Sequence, residues 1–361
     1  MRILAITAQP DLPEAYLLRG LKEAGVELTC VGEADAKRRE LIEEVGIPYH
    51  ELTLQSKVSF SAMRTLRRLI AEVKPDIVHS FAGRGLSNAL LATLGKPVMH
   101  VAYRGTMGHL SRWDPTSWIT FLNSRVRAII CVSDAVRQYL LSIGIPPSRL
   151  RTIYKGHDCA WYTQKQKADL STLGIPLDAF IVGYTANMRP VKGADVLLEA
   201  LRYLPATSHI HALLIGEVRD PVITALGAEP SVAPRAHFAG FRADAAALVS
   251  ACHAIVMPSR EREGLPKSVI EGMAQGICPV VSRVGGMPEL VKDGECGLIV
   301  PPSNATALAQ ALRQLELDRA LCSQLGSAAK KRIETKFNIS ATIKAHLQVY
   351  TELLSTVRKK S

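Results

Sequence analysis

Two glutamates, Glu263 and Glu271, lie in one segment, 258–276, whose composition predicts a strand end, a turn and a helix start. Pro266 suits the first turn of that helix, because its missing N–H would have no partner there. The unpaired first amides and the positive end of the helix dipole attract anions, and a carboxylate accepts hydrogen bonds from sugar hydroxyls. The segment therefore predicts a site for a ligand that carries both phosphate and sugar, as a nucleotide-sugar does.

Two cations, Arg189 and Lys192, follow another predicted strand, 181–185, in a turn that leads into a helix. Taken singly, each could be an ordinary exposed charge, since Lys and Arg usually are. Their shared position at the carboxyl end of a strand instead favours a diphosphate that lies on the amides of the turn.

Glycine-bearing turns follow three more predicted strands, at Gly216, at Gly240 and at Gly285-Gly286. Each signal is weak alone, because glycine often ends a strand. Together they suggest that the backbone approaches a ligand around one rim of one sheet. We therefore include Gly216 and Gly240 among the candidate donor-binding residues.

Strand and helix signals alternate along both halves of the chain. Short apolar runs bounded by turn residues predict strands, and apolar residues at helical spacing predict the helices between them. The predicted strands cover residues 2–7, 27–32, 76–79, 97–103 and 128–133, then 181–185, 211–215, 236–239, 254–257, 279–282 and 297–300. One helix between successive strands indicates a parallel sheet, so we expect two doubly wound α/β domains.

The 361 residues exceed one core of usual size. The alternation breaks in a polar stretch, 158–178, so we place the first domain at 1–165 and the second at 166–338. A terminal helix, about 339–361, has one apolar stripe that must pack on something, and we expect it to cross back to the first domain. The stripe consists of Ile343, Leu347, Tyr350 and Leu354.

Composition narrows the class of protein. A hydrophobic content of 47% and a charged content of 21% are ordinary for a globular protein. The apolar run at the N-terminus is too short for a signal peptide, and no run reaches the length of a membrane span. Seven scattered cysteines have no metal-ligand spacing, so we expect no metal site and a cytoplasmic location. The net charge of +11 fits anionic partners, but an aromatic content of 5% without a stacking motif argues against nucleic acid.

The second half resembles the family-4 retaining glycosyltransferases, which have the GT-B fold of two Rossmann-like domains facing across a cleft. The glutamate pair reproduces the family's E-x7-E signature, and the neighbouring residues agree with it. The resemblance is carried by Glu263-Gly264-Leu265-Pro266, Glu271-Gly272-Met273-Ala274, Pro279-Val280-Val281, Gly285-Gly286-Met287-Pro288-Glu289, Gly294 and 297–302. In the first half the match is looser, at residues 75–80 and 131–133.

The resemblance implies a role for each matching residue. Arg189 and Lys192 would bind the donor diphosphate, Glu263 would contact the donor sugar, and Glu271 would bind the ribose. Amides near Gly264, Leu265 and Pro266 would lie close to sugar and phosphate. The resemblance also implies a UDP-, GDP- or ADP-sugar donor, no metal or other cofactor, and transfer with retention of configuration. The implied acceptor is a glycan or a lipid-linked glycan, as in the synthesis of bacterial envelope polysaccharide or lipopolysaccharide.

Three positions depart from the family pattern. Asn187 occupies the place where many members have arginine, and Arg189 stands three residues before the lysine instead. Arg104 stands where a histidine usually precedes a glycine, and His109 lies close by, so we keep Arg104 and His109 as acceptor-side candidates. The loop after the first strand, 9–13, lacks the usual glycine pair, so acceptor contacts do not carry over.

Other functions compete with this interpretation. A glycoside hydrolase would use both carboxylates on one bond, at roughly 5–9.5 Å, which eight residues across a turn and a helix make improbable. A non-catalytic sensor of nucleotide-sugars would have the same binding residues and stays open.

Peripheral attachment to an anionic membrane is a further hypothesis, with a solvated helix and packed tryptophans as its alternative. Its candidate residues are Arg64, Arg67, Arg68, Arg104, Arg112, Trp113, Trp118, Arg125 and Arg127.

Overall fold

The computed structural model describes residues 1–163 and 168–358, and it divides the chain into two compact units. The first unit comprises Met1–Gly156 together with Asn338–Ser361, and the second comprises His157–Phe337. The predicted boundary between residues 165 and 166 lies outside the described residues, as do the last three residues of the predicted terminal helix.

The first unit is built on one seven-stranded sheet in the order β3-β2-β1-β4-β5-β6-β7, with every pairing parallel. Its strands are β1 (Arg2–Ile6), β2 (Glu27–Gly32), β3 (Tyr49–Glu51), β4 (Ile77–Ser80), β5 (Met99–Arg104), β6 (Val126–Cys131) and β7 (Leu150–Thr152). Its helices up to residue 156 are α1 (Leu12–Glu23), α2 (Arg39–Glu43), α3 (Phe60–Val73), α4 (Gly83–Ala92), α5 (Pro115–Trp118) and α6 (Asp134–Ser142).

The second unit has a six-stranded parallel sheet in the order β10-β9-β8-β11-β12-β13. Its strands are β8 (Phe180–Thr185), β9 (Ile210–Ile215), β10 (Ala236–Gly240), β11 (Ala254–Met257), β12 (Cys278–Ser282) and β13 (Leu298–Val300). Its helices are α7 (Ala194–Arg202), α8 (Pro221–Gly227), α9 (Ala245–Ser250), α10 (Lys267–Ala274), α11 (Met287–Leu290), α12 (Ala305–Leu317) and α13 (Arg319–Lys336).

Each sheet reverses its strand order once, between β1 and β4 in the first unit and between β8 and β11 in the second. This is the doubly wound order, and it confirms the predicted α/β class. The central strands are buried along their whole length because helices cover both faces. The carboxyl ends of β8 and β11 therefore lie side by side at the switch point, where doubly wound sheets bind ligands.

The predicted strands all form, with ends that differ by at most two residues, but several short elements escaped prediction. The missed elements are α2, β3, α5, β7, α8 and α11. The edge strands β3 and β7 have three residues each, too few to show an alternation. Helix α8 carried a readable signal, since Asp220 caps it and Pro221 begins it. Pro266 is the N-cap residue of α10 and does not lie in its first turn.

The last helix, α14 (Ile339–Arg358), belongs to the first unit and packs against α1. Ile343 lies where a side chain on Gly20 would stand, because a Cβ there would come within 2.1 Å of the Ile343 Cδ1. Tyr350 is fully buried, and its hydroxyl lies 2.6 Å from the Nδ1 of His79. The terminal helix therefore completes the core of the first unit.

Within residues 1–163 and 168–358, none of the helices combines the length and apolar character needed to cross a bilayer.

Two buried histidines lie in this core, His79 on β4 and His346 on α14, with ring centroids 5.8 Å apart. The Nδ1–H of His346 donates to the Thr342 carbonyl at 2.8 Å. Within the described chain, the Nε2 atoms of both rings are buried without a partner. Burial lowers the pKa of His346 to about 4 and holds the pKa of His79 well below its usual range.

Acidification is expected to weaken the first unit through these histidines. The unfolded chain protonates histidine near pH 6.5, whereas the folded protein resists protonation of His346 down to a pKa of about 4, so stability falls as the pH falls through that interval. At about 1.4 kcal/mol per pKa unit, His346 alone accounts for roughly 3 kcal/mol. Urea unfolding at pH 7 and pH 4.5 should show a smaller pH effect for His346→Asn than for wild type.

His50→Asn is the matched control, since His50 is exposed on β3, and its pH dependence should equal that of wild type. An undiminished pH dependence in His346→Asn would contradict the assignment.

Candidate functional site

The structure brings Lys192 and Glu263 together at the switch point of the second sheet. The Lys192 Nζ lies 2.5 Å from the Glu263 Oε1, although the two residues are 71 positions apart in the chain. Glu263 is only 6% exposed. A buried carboxylate needs a compensating charge, and Lys192 supplies it.

A close backbone approach places Lys192 over the exit of β11. Lys192 ends a 3-10 turn that follows β8, and Gly193 next to it has a φ of 70°. A Cβ on Gly193 would lie 2.0 Å from the Pro258 carbonyl oxygen, so only glycine fits. The Arg260 N–H donates to the Val191 carbonyl at 2.9 Å, which ties the two strand exits together.

Two serines support the carboxylate of Glu263: Ser259 contacts it directly, and Ser282 contacts Ser259. The buried Ser259 donates its hydroxyl to the Glu263 Oε1 at 2.8 Å, and the Ser282 hydroxyl donates to the Ser259 carbonyl at 2.5 Å. The family resemblance implies no role for either serine, although both are small polar residues at or just after strand ends, which is a usable signal. Oε1 thus accepts from two groups, and Oε2, which accepts no hydrogen bond from the described residues, keeps capacity for a ligand hydroxyl.

The predicted cation Arg189 is exposed at the exit of β8. Its charge acts on the buried phenol of Tyr184. Burial raises the pKa of this phenol well above its usual range; the negative charges of Glu263 and Asp195 raise it further, and Arg189 opposes them. Arg189 and Glu263 therefore act on the same phenol with opposite sign.

The turn before α10 presents backbone donors. Gly264 is buried and Leu265 half-buried, and the N–H groups of both donate to no acceptor in the described chain. Pro266 caps α10, whose first amides and dipole point toward the same turn. The Gly286 N–H donates to the Glu263 carbonyl at 3.1 Å and anchors the turn from the other side. This arrangement can hold an anion.

Glu271 is half-buried on α10. Its Oε1 lies 3.4 Å from the Nζ of Lys267, one helical turn away. Such an exposed helical pair is weak, so a ligand hydroxyl could compete with Lys267 for the carboxylate.

The glycines at the other strand exits have different surroundings. A Cβ on Gly216 would lie 2.1 Å from the Ala186 carbonyl, and the Gly216 N–H donates to the Gly240 carbonyl at 2.7 Å. Gly216 therefore allows the exits of β8, β9 and β10 to pack closely. Gly240 has a φ of 65° but faces open space, with nothing within 4 Å of a Cβ. Both lie along the predicted rim.

In the first unit, Arg104 supports a loop. Its guanidinium donates to the carbonyls of Thr106 at 2.9 Å and Gly108 at 2.5 Å and lies over the Phe121 ring at 4.9 Å. Burial lowers the pKa of Arg104. His109 follows this loop, exposed and with a φ of 61°. Of the two acceptor-side candidates, only His109 is freely presented to solvent.

All seven cysteines are free thiols, and all but Cys159 are buried. In the part of the chain that the structure describes, no three His, Cys, Asp or Glu side chains converge into a set that could ligate a metal.

Comparison with known proteins gives consistent matches over both units. Residues 165–332 match the family model described as glycosyl transferases group 1, and residues 15–161 match the one described as glycosyltransferase family 4. The chain is 26% identical, over 92% of its own length and 93% of the relative's, to the lipopolysaccharide core biosynthesis glycosyltransferase LpsE of Rhizobium meliloti (strain 1021).

Two solved structures share the fold. A glycosyltransferase from Rickettsia africae ESF-5 superposes with a TM-score of 0.82 at 20% identity, over 98% of both chains. Anabaena Alr3699/HepE, crystallised in complex with UDP-glucose, superposes with a TM-score of 0.78 at 22% identity, over 99% of this chain and 100% of that one. These matches confirm the predicted GT-B fold.

The close approach at Gly193 is testable by a pair of substitutions. Gly193→Ala would force a Cβ onto the Pro258 carbonyl, whereas Gly240→Ala adds a Cβ in open space at a similar φ. Both variants bear the strain of a left-handed backbone, about 1–2 kcal/mol, and only Gly193→Ala adds the clash. Urea midpoints should therefore fall further for Gly193→Ala than for Gly240→Ala. Equal shifts would show that the two strand exits do not constrain each other.

Proposed function

Because the chain belongs to the family 4 glycosyltransferases, with the GT-B fold, we propose that it moves a sugar, with retention of configuration, from a nucleotide-sugar to a glycan or lipid-linked acceptor of the bacterial envelope. The observation that carries this proposal is the Lys192–Glu263 contact at the switch point, which puts a cation and a carboxylate side by side at the carboxyl ends of β8 and β11.

The donor diphosphate would lie between the cations and the turn before α10. Breaking the glycosidic bond leaves the electron pair on the phosphate oxygen, so negative charge grows on the leaving group. Lys192 and Arg189 would stabilise that charge, together with the N–H groups of Gly264 and Leu265. Because these groups are already oriented in the folded protein, they would favour the transition state without large rearrangement.

Glu263 would orient the sugar. Its Oε1 is occupied by Lys192 and Ser259, which leaves Oε2 to accept from a sugar hydroxyl. Glu271 would accept from the ribose hydroxyls in place of its weak contact with Lys267. The acceptor hydroxyl would attack on the face that the leaving group vacates and pass its proton to the departing phosphate, so no protein nucleophile and no metal is required. Residues around His109, in the loop that Arg104 holds, would form the acceptor side.

Two relatives guide the choice of substrates. Alr3699/HepE binds UDP-glucose, so UDP-sugars are the first donors to test, with GDP- and ADP-sugars beside them. LpsE acts in lipopolysaccharide core biosynthesis, so a core oligosaccharide is the first acceptor to test.

Donor binding and transfer provide the direct test. A thermal-shift screen with UDP-, GDP- and ADP-sugars should identify one class that raises the melting temperature. With that donor and a core oligosaccharide, Lys192→Met should lower kcat about 10²–10³-fold, the loss typical of one transition-state donor. Proton NMR of the product should show the anomeric configuration of the donor.

Lys292→Met is the control, since Lys292 is an exposed lysine of the same unit, and its kcat should match that of wild type. A protein that binds a donor but transfers nothing to any envelope acceptor would instead be a sensor. An inverted product would remove the retaining mechanism.

We further propose that the first unit attaches to the cytoplasmic face of an anionic membrane. Its exposed aromatic patch, defined by Phe60, Trp113 and Trp118, includes side chains that are 83%, 95% and 50% exposed. The Lys57 Nζ donates to the Thr116 Oγ1 at 2.5 Å, which joins the loop before α3 to α5. Exposed Arg64, Arg67 and Arg68 lie on α3. Aromatic rings beside cations suit an anionic lipid interface.

Vesicle flotation tests this attachment. Wild type should float with vesicles of phosphatidylcholine and phosphatidylglycerol at low salt and less at high salt, because the attraction is screened. Trp113→Ser should reduce the bound fraction several-fold. Leu177→Ser, which removes a side chain that is 98% exposed on the second unit, should leave it unchanged. Equal flotation of both variants, or none for wild type, would refute the attachment.

A further inference from the structure

A cavity of about 650 Å³ lies in the first unit at the amino ends of β5, β6 and β7. Its volume is within the range of small-molecule sites. Leu353 and Thr356 of α14 form part of its wall. Among the described residues that line it there is no carboxylate, and five of them are cationic: Lys96, Arg125, Arg127, Arg149 and Arg151.

This cavity is separate from the candidate donor site. The donor residues belong to the second unit and lie at the carboxyl ends of β8 and β11. The cavity belongs to the first unit and lies at the amino ends of β5, β6 and β7. The proposed transfer reaction uses none of its residues.

Three of the five cations have structural partners, namely Arg125, Arg149 and Arg151, of which Arg151 donates to the Ser148 carbonyl at 2.8 Å. Arg125 donates to the carbonyls of Leu90 and Thr93, at 2.5 and 2.6 Å, and so covers the end of α4. Arg149 donates to the Asn123 carbonyl at 2.6 Å. Carbonyl oxygens satisfy hydrogen bonds but carry no net charge, so the guanidinium charges of Arg125 and Arg149 remain uncompensated.

Lys96, Arg127 and one donor of Arg149 have no partner among the described residues. Lys96 and Arg127 make no side-chain hydrogen bond or ion pair within the described chain, and the buried Nε–H of Arg149 has no acceptor there. Arg151 meets one carboxylate, Glu352, at 3.8 Å. Arg127 and Arg149 line the same cavity. Burial lowers the pKa of Arg149, and the charge of Arg127 lowers it further.

The Arg149 Nε–H is buried without an acceptor in the described chain, and like charges gather around one cavity, so an anion bound there would offset both costs. We propose that this cavity binds a phosphate ester, either a free metabolite or a lipid headgroup. Guanidinium groups match phosphate oxygens with paired N–H donors, and Lys96 adds a point charge. Val98, Met99, Val126 and Leu353 line the same cavity and would contact the organic part of the ester.

Binding should be measured in the full-length protein with the donor site disabled by Lys192→Met, so that phosphate at that site does not interfere. The probes are glycerol 3-phosphate in solution, and vesicles of phosphatidylcholine with or without phosphatidylglycerol, at constant ionic strength. The readouts are the melting temperature, calorimetric Kd, flotation, and hydrogen exchange of residues 124–127, 148–151 and the end of α14. Lys96→Gln/Arg127→Gln should weaken binding at least ten-fold and abolish the added protection.

The matched control is Arg38→Gln/Lys344→Gln, which removes two exposed charges from the same unit and should bind as wild type does. Saturable binding of glycerol 3-phosphate supports a free ester; binding only to phosphatidylglycerol vesicles, lost in Lys96→Gln/Arg127→Gln, supports a headgroup. No binding of either probe overturns the proposal, as does equal weakening by the control pair. Arg127→Glu is the second variant, since it reverses one charge at the cavity and touches no structural hydrogen bond.

Discussion

The ion pair between Lys192 and Glu263 is the contact on which the candidate site depends. A largely buried carboxylate is tolerated only when a counter-charge and hydrogen bonds meet it with good geometry. The side chains of Lys192 and Ser259, on the segments that follow β8 and β11, supply both. Gly193 makes this possible, because any side chain there would collide with the Pro258 carbonyl. The fold of the second unit thus produces a charged, oriented site before any ligand arrives.

Because the site is preorganised, few side chains are needed around the Glu263 carboxylate. Ser259 and Ser282 orient one oxygen of Glu263, Lys192 neutralises it, and the other oxygen remains available. The amides of Gly264 and Leu265 add donors without adding charge. In the proposed reaction, a leaving diphosphate would need its growing negative charge stabilised, and this set of donors would suit that task.

The first unit shows that cations close in sequence can serve different purposes. Arg104 holds a loop through two carbonyls, Arg125 covers the end of α4, and Arg127 faces a basic cavity. Trp113, in the same stretch, is exposed rather than packed in a core. These residues, which the sequence alone suggests as one membrane-binding surface, therefore have three different places in the fold: structural hydrogen bonds, a cavity and an exposed patch.

The sequence by itself determined the α/β class, the positions of the long strands and the local setting of Glu263, because apolar runs, glycine turns and the E-x7-E spacing are local patterns. It missed β3 and β7, whose three residues carry no periodicity, and the roles of Ser259 and Ser282. Only the tertiary structure decided that Lys192 meets Glu263, that Tyr350 lies against His79, and that five cations from separate segments share one cavity. These contacts join residues far apart in the chain, and their existence depends on strand order and backbone approach, which no local pattern encodes.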